Sequence, residues 1–288
     1  MTYREYSAPP PIFYINLRNA KVRRKIIEKQ LSSFGMSYTR IEAIDAIDIC
    51  KIEYPKVVRR NWRFSRWHID DISAAIFMSH RKVYEAILER ELPVALILED
   101  DLVFRDDFSL ILKRLHNYHH GFDILRIGTF SQDRVMGKRQ YLFPDVTMRR
   151  IYQEMADAGA YLVTRYACQR LLEESHFIGE HVDDFVFSPR RKLRTFQLTS
   201  PICSQYIQSE NLQKLAIDMN IKISQRELLQ TPSIVEKGPL LYRLKKETIR
   251  LINRAYLNSA MLYGSAEVVN GLSICANFSL PNNLKLKN

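Results

Sequence analysis

The chain has no run of about 18 apolar residues, the length a helix needs to cross a bilayer. Its first residues, MTYREYSAPPPIFYINL, hold no apolar stretch long enough for a secretory signal. Both absences make a cytoplasmic protein the simplest expectation. Cysteine is scarce: Cys50, Cys168, Cys203 and Cys275 are scattered without a CxxC spacing. That pattern indicates neither a disulfide framework nor a zinc site, and reduced, buried thiols are expected. There is no internal repeat and no low-complexity segment, and signatures of RRM, KH or helix-turn-helix nucleic-acid binding are missing.

What is present is ample apolar material, 46% of 288 residues, enough for one large domain or two modest ones. There are 43 basic and 32 acidic residues, and eight basic against two acidic ones lie beyond residue 236. A basic surplus implies an anionic partner: nucleic acid, phospholipid or a phosphorylated substrate.

Hydrophobic spacing predicts a strand at Ile12–Leu17, a helix through AKVRRKIIEKQLSSF and a second strand at Tyr38–Ala43. Residues 44–68 read as a loop-rich stretch carrying Trp62 and Trp67, before a helix over about Ile72–Arg90 capped by Asp70 or Asp71. The strand VALIL follows Pro93. A helix capped by Asp106 or Asp107, strands at Phe122–Ile127 and Ala160–Val163, and a helix at Tyr166–Glu174 complete the pattern. Alternation of this kind predicts an α/β fold with a mainly parallel central sheet. Residues 131–150 read as a long basic loop of the kind that serves as a substrate lid.

VALIL ends in Glu99, Asp100 and Asp101, three carboxylates in a row. Like charges this close repel and are costly to desolvate, so the position needs a cation, a basic side chain or open solvent. Ligand crevices of open α/β sheets lie beyond the carboxyl ends of strands. In extended backbone Glu99 and Asp101 face one way and Asp100 the other, which offers two oxygen ligands to a hard divalent cation. The alternative is an acidic turn that caps the next element. HNYHH places His116 and His120 four apart, as zinc ligands can stand, but no acidic ligand motif accompanies them.

Five separated segments resemble glycosyltransferase family 25, the lipooligosaccharide and collagen glucosyl- and galactosyltransferases: INLRNAKVRR (15–24), MSHRKVYEAI (78–87), LPVALILEDDLVF (92–104), AGAYLVTRYACQRLL (158–172) and HVDDFVF (181–187). They stand in the family's order. The resemblance implies a GT-A-like nucleotide-sugar-binding fold over residues 1–210, with residues 211–288 a helical, basic extension toward acceptor or membrane. It implies a UDP-hexose donor, galactose or glucose, and a divalent metal, manganese or magnesium, held by Glu99 and Asp101. Asp100 then touches the ribose or the donor sugar, while Asn16, Arg23, Arg24 and His80 contact the donor. Asp183 and Asp184 are the candidates for the base of an inverting displacement, with Asp184 favoured. Asn19 stands where the family commonly has arginine, and Ala75-Ile76 where Gly-Cys often precedes Ser-His.

Each assignment has a plainer competitor. VDDF also suits a helix amino-terminal cap, the arginines a solvated helix face, and His80 a structural role. The expected activity is hexose transfer to a lipooligosaccharide core at the inner face of a bacterial inner membrane, with no nucleic-acid partner. The competing classes are a metal-dependent nuclease and a basic nucleic-acid-binding protein. PLLYRLKKETIRLINRAY (239–256) predicts an amphipathic helix with Leu241, Leu244, Leu251 and Ala255 on one face. Arg243, Lys246, Arg250 and Arg254 form a second stripe, suited to peripheral contact with an anionic membrane.

Overall fold

A computed structural model describes residues 8–63, 66–206 and 236–271. The chain begins β1 (Ile12–Asn16), α1 (Lys21–Ser33), β2 (Tyr38–Glu42), β3 (Lys56–Val57), α2 (Asp71–Glu89), β4 (Val94–Glu99), β5 (Leu102–Phe104) and α3 (Phe108–Asn117). It continues β6 (Ile124–Arg126), β7 (Arg134–Phe143), β8 (Val146–Ile151), β9 (Ala160–Thr164), α4 (Arg165–Glu174), β10 (Phe177–Ile178) and α5 (Val182–Val186). Last come β11 (Thr195–Leu198), β12 (Cys203–Gln205), α6 (Leu240–Leu262) and β13 (Ala266–Val269).

Nine strands form the main sheet, in the order β13-β7-β8-β11-β6-β9-β4-β1-β2. Only β8, β9 and β13 run against the other six, so the sheet is mostly parallel by strand direction, although five of its eight ladders are antiparallel. The α/β class expected from the sequence holds. β1 and β9 are buried along their whole length and β4 up to Glu99, because helices cover both faces. Side chains alternate between two cores: Phe13, Ile97, Tyr161 and Val163 pack with α2, while Tyr14, Leu96, Leu98 and Leu162 pack with α1 and α3. As predicted, Asp70 caps α2, its carboxylate accepting from the Ser73 amide at 2.8 Å.

Three expectations are corrected. Residues 131–150 are not a loop: most of the segment forms the antiparallel β7–β8 hairpin, turning at Pro144-Asp145 with Asp145 at φ 68°. Lys138, Arg139, Gln140 and Tyr141 are all exposed on β7, and this exposed run interrupts the alternation that would mark a strand in the sequence. Asp107 sits at the start of α3 without capping it, because Arg105 takes its carboxylate at 2.5 and 2.8 Å. Cys168 and Cys203 are buried but Cys50 is exposed. Cys275, and residues 211–235 and 272–288 of the expected extension, lie outside the described residues. Within that extension α6 is helical, and β13 pairs with β7 of the main sheet.

Candidate active site

β1 and β4 run in parallel with Ile15 opposite Glu99, so Asn16 and the carboxylates leave the sheet at the same edge. Asp100 turns toward β1. Its Oδ2 accepts from Asn16 Nδ2 at 2.6 Å and lies 3.4 Å from Arg23 Nε. Asn16 is itself fixed, donating to the Ala20 carbonyl at 3.1 Å and accepting from Arg40 Nε at 3.0 Å. Burial holds the Asp100 carboxyl above its ordinary range, against the opposing pull of Arg23 and Asn16. Arg24 is not part of this group; it pairs with Glu28 one turn along α1.

Glu99 and Asp101 turn the other way, as strand alternation predicts. The pairing of β12 with β5 sets Gln205 opposite Leu102. From there Gln205 Nε2 donates to Glu99 Oε2 at 2.9 Å and to Asp101 Oδ1 at 3.3 Å. Burial, reinforced by the charges of Asp157, Asp100 and Asp183, pushes Glu99 up to about 8. Asp101 is raised well above the usual carboxylate range by burial and by Glu99. A bound cation relieves this kind of crowding.

Asp157 is a member of the cluster that sequence reasoning missed. It adopts φ 76°, and its Oδ1 accepts from the Gly159 amide at 2.7 Å. Its Oδ2 accepts from Arg126 Nη2 at 3.1 Å. The Arg126 guanidinium is fully buried and also donates to Gln197 and to the carbonyls of Gly128, Thr129, Ala156 and Asp157. A Cβ at Gly159 would stand 2.8 Å from both Asp157 Oδ1 and Gln205 Nε2, so a side chain there would displace these two groups. The available signal was an Asp two residues before a glycine at a strand entrance.

His80, expected to contact the donor, does not line the cleft beside the carboxylates. It is fully buried, stacked on Tyr161, with Nδ1 2.8 Å from Tyr161 Oη and Nε2 3.3 Å from Glu99 Oε1. Tyr84 Oη stands 2.7 Å from Tyr161 Oη, which continues the chain inward. Burial drives the imidazole down to about 3, so it is neutral. Its single proton suits Nε2, donated to Glu99, with Tyr161 donating to Nδ1. The residue is a positioning group for Glu99.

The two aspartates of α5 diverge, as adjacent helical residues must. Asp183 lines the cleft with Glu99, Asp157 and Gln205. Its Oδ2 accepts from the Asp157 amide at 3.1 Å and its Oδ1 from the Asp184 amide at 2.9 Å. Asp184 instead accepts from Arg66 Nε at 2.6 Å and borders a neighbouring cavity. The geometry therefore favours Asp183 over Asp184 for a role at the carboxylate cluster.

The cleft has a volume of about 810 Å³ and is bordered on one side by α6, through Tyr242, Arg243, Lys246 and Arg250. The expected basic stripe thus faces the cavities beside the carboxylates. Leu241, Leu251 and Ile252 are exposed. For a divalent cation the donor set fits in kind: Glu99 and Asp101 are hard oxygen donors gathered by one amide. Among the described residues no three His, Cys, Asp or Glu side chains stand in a metal-holding arrangement. A divalent cation at this place would be held by the Glu99 and Asp101 carboxylates. The zinc spacing at His116 and His120 leads to no such site either; His116 Nδ1 lies 2.6 Å from the Ala8 carbonyl oxygen.

Comparison with known proteins gives the family. The sequence profile of glycosyltransferase family 25 (LPS biosynthesis protein) matches residues 9–186. No curated protein matches the chain. Among solved structures, a glycosyltransferase involved in glycosylation of the major capsid of PBCV-1 shows 10% identity, covering 73% of this chain and 98% of its own, at a TM-score of 0.34. The inositol-1-phosphate CTP transferase from T. maritima shows 9% identity, covering 76% and 100%, at a TM-score of 0.36. Likeness at that level carries no weight here. The profile covers most of the chain and all the carboxylates described above, and on that ground this protein belongs to glycosyltransferase family 25.

Proposed function

We propose that this glycosyltransferase moves a hexose, galactose or glucose, from a UDP-sugar to a lipooligosaccharide core acceptor with inversion, assisted by manganese or magnesium. The observation that carries the proposal is the convergence of Glu99, Asp157 and Asp183 on one cleft at the carboxyl end of β4, with Asp101 tied to Glu99 through Gln205. Family membership sets aside the nuclease and nucleic-acid-binding alternatives.

In this account Glu99 and Asp101 hold the cation, which when bound neutralises the charge that develops on the departing UDP. Asn16, Arg23 and Arg40 surround Asp100 and fix the edge of the nucleotide side of the cleft. Asp183 serves as base. Two backbone amides orient its carboxylate, and each oxygen keeps a lone pair free for the proton of the acceptor hydroxyl. As that proton leaves, the acceptor oxygen bonds the anomeric carbon and the bond from that carbon to the diphosphate oxygen breaks. His80 and Gln205 keep Glu99 in place from opposite sides. A peripheral membrane contact rests on the exposed apolar residues of α6 alone, because the basic stripe faces the cleft; no helix among the described residues is long and apolar enough to cross a membrane.

The test is a donor screen. Purified protein with manganese is incubated with each common UDP-sugar, and UDP release is measured. Release from UDP-galactose or UDP-glucose supports the assignment, and release from none of them contradicts it.

A further inference from the structure

The α6 side of the cleft carries more positive charge than its own residues neutralise. Arg243, Lys246, Arg250 and Arg254 fall on successive turns of α6. The first three line the cleft with Glu99 and Asp183, and the last three line the adjoining cavity of about 1180 Å³. Arg250 pairs with Glu247 at 2.9 Å. Among the described residues Arg243, Lys246 and Arg254 form no ion pair and no side-chain hydrogen bond. Three of the acids lining the two cavities are engaged elsewhere, Asp184 with Arg66, Glu154 with Arg190 and Glu236 with Arg60, while Glu99, Asp157 and Asp183 belong to the carboxylate cluster of the cleft.

An aromatic surface adjoins the stripe. Trp62 packs edge to face on Trp67 and Tyr242, and Trp67 lies tilted against Tyr242, with centroids 5.2 to 6.1 Å apart; Trp62 remains 43% exposed. Gly238, at φ 75°, permits this packing, since a Cβ there would stand 2.7 Å from the Trp67 ring. Both tryptophans of the chain therefore border the cavities. Such rings suit the apolar faces of sugars.

We propose that α6 and the Trp62–Trp67–Tyr242 cluster form an acceptor subsite for a glycan bearing phosphate groups. The proposal rests on the transferase assignment above and adds the charge of the acceptor. The sugar-nucleotide diphosphate offers the same chemistry as a phosphorylated glycan, but Arg243 to Arg254 span about 16 Å of helix, too far for one diphosphate to satisfy. Anionic groups distributed along an oligosaccharide match that spacing.

The test uses core oligosaccharide released from lipooligosaccharide, intact and phosphatase-treated, and wild type beside the triple variant Arg243→Gln, Lys246→Gln, Arg254→Gln. These side chains are exposed, so folding should survive. Glycan binding is measured with UDP saturating, and UDP is titrated separately. The expected result is that wild type binds the phosphorylated glycan at least about tenfold more tightly than the treated one, a preference the variant loses while its UDP affinity stays unchanged. Equal binding of both glycans by wild type, or binding of neither, overturns the proposal. A fall in UDP affinity in the variant also overturns it, by assigning the stripe to the donor. Hydrolysis of UDP-sugar, assayed in parallel, reports on the transferase assignment separately.

Discussion

Glu99 and Asp101 are held by a single amide, Nε2 of Gln205, which reaches them at 2.9 and 3.3 Å from a strand more than a hundred residues away in sequence. The spacing of the two carboxylates therefore depends on Gln205 as well as on β4. Replacing it by alanine should raise the manganese concentration needed for half-maximal turnover by about tenfold, with a smaller effect on the rate at saturating metal. A metal titration of UDP release checks this. An unchanged titration curve would show that the amide does not set the pair.

Asp101→Asn and Glu99→Gln should each abolish metal-dependent turnover, since a neutral amide of the same shape is a poor ligand for a hard cation. Asp100, turned toward Asn16 and Arg23, belongs to the other side of the strand. If Asp100→Asn proved far more damaging than either, strand alternation would not describe the division of labour.

Asp183→Asn should lower turnover by about 100-fold while UDP-sugar binding survives, as loss of a general base does. Asp184→Asn removes the partner of Arg66 and should leave a larger share of turnover. Calorimetry decides between roles: loss of UDP-sugar binding in Asp183→Asn would make it a donor contact.

His80 gives a pH prediction. Its folded value lies near 3 because of burial, below its ordinary 6.5. The unfolded chain binds this proton from about pH 6.5 downward, the folded protein only near 3. The stability it contributes is therefore complete above that range and declines as pH falls through it. Between about pH 7.5 and 5 the wild type should lose about 2 kcal/mol through this group, a loss absent in His80→Gln. Denaturant unfolding at both pH values measures the difference, and identical pH dependence in both proteins would contradict a buried neutral imidazole.

Arg126→Met should destabilise the fold by on the order of 3–5 kcal/mol, because it leaves the buried Asp157 carboxylate without its cation. Chemical denaturation checks it. A loss below about 1 kcal/mol would mean that Asp157 is already protonated and needs no partner.

How much of this was visible in the sequence follows from the range of each interaction. β1, α1, α2 and β4 are local patterns, and their bounds agree with the spacing of apolar residues to within two positions. The opposed directions of Asp100 and its neighbours follow from strand alternation alone. Gln205 and Arg126 carry no local signal, and Asp157 only that of an aspartate two residues before a glycine: each joins the site through a contact that depends on how distant strands pair. Asp183 and Asp184 are alike in sequence, and only the positions of Asp157 and Arg66 separate them. The β7–β8 hairpin was hidden because four consecutive residues of β7, Lys138 to Tyr141, are exposed and break the apolar alternation, which resembles a loop in composition.

The most direct test of the central claim is UDP release from UDP-galactose and UDP-glucose by wild type, Asp101→Asn and Asp183→Asn, each with manganese and after removal of metal by EDTA. The account predicts release by wild type that EDTA stops and manganese restores, no restoration in Asp101→Asn, and a rate reduced by about 100-fold in Asp183→Asn. Undiminished release in EDTA together with near-normal rates in both variants would contradict it.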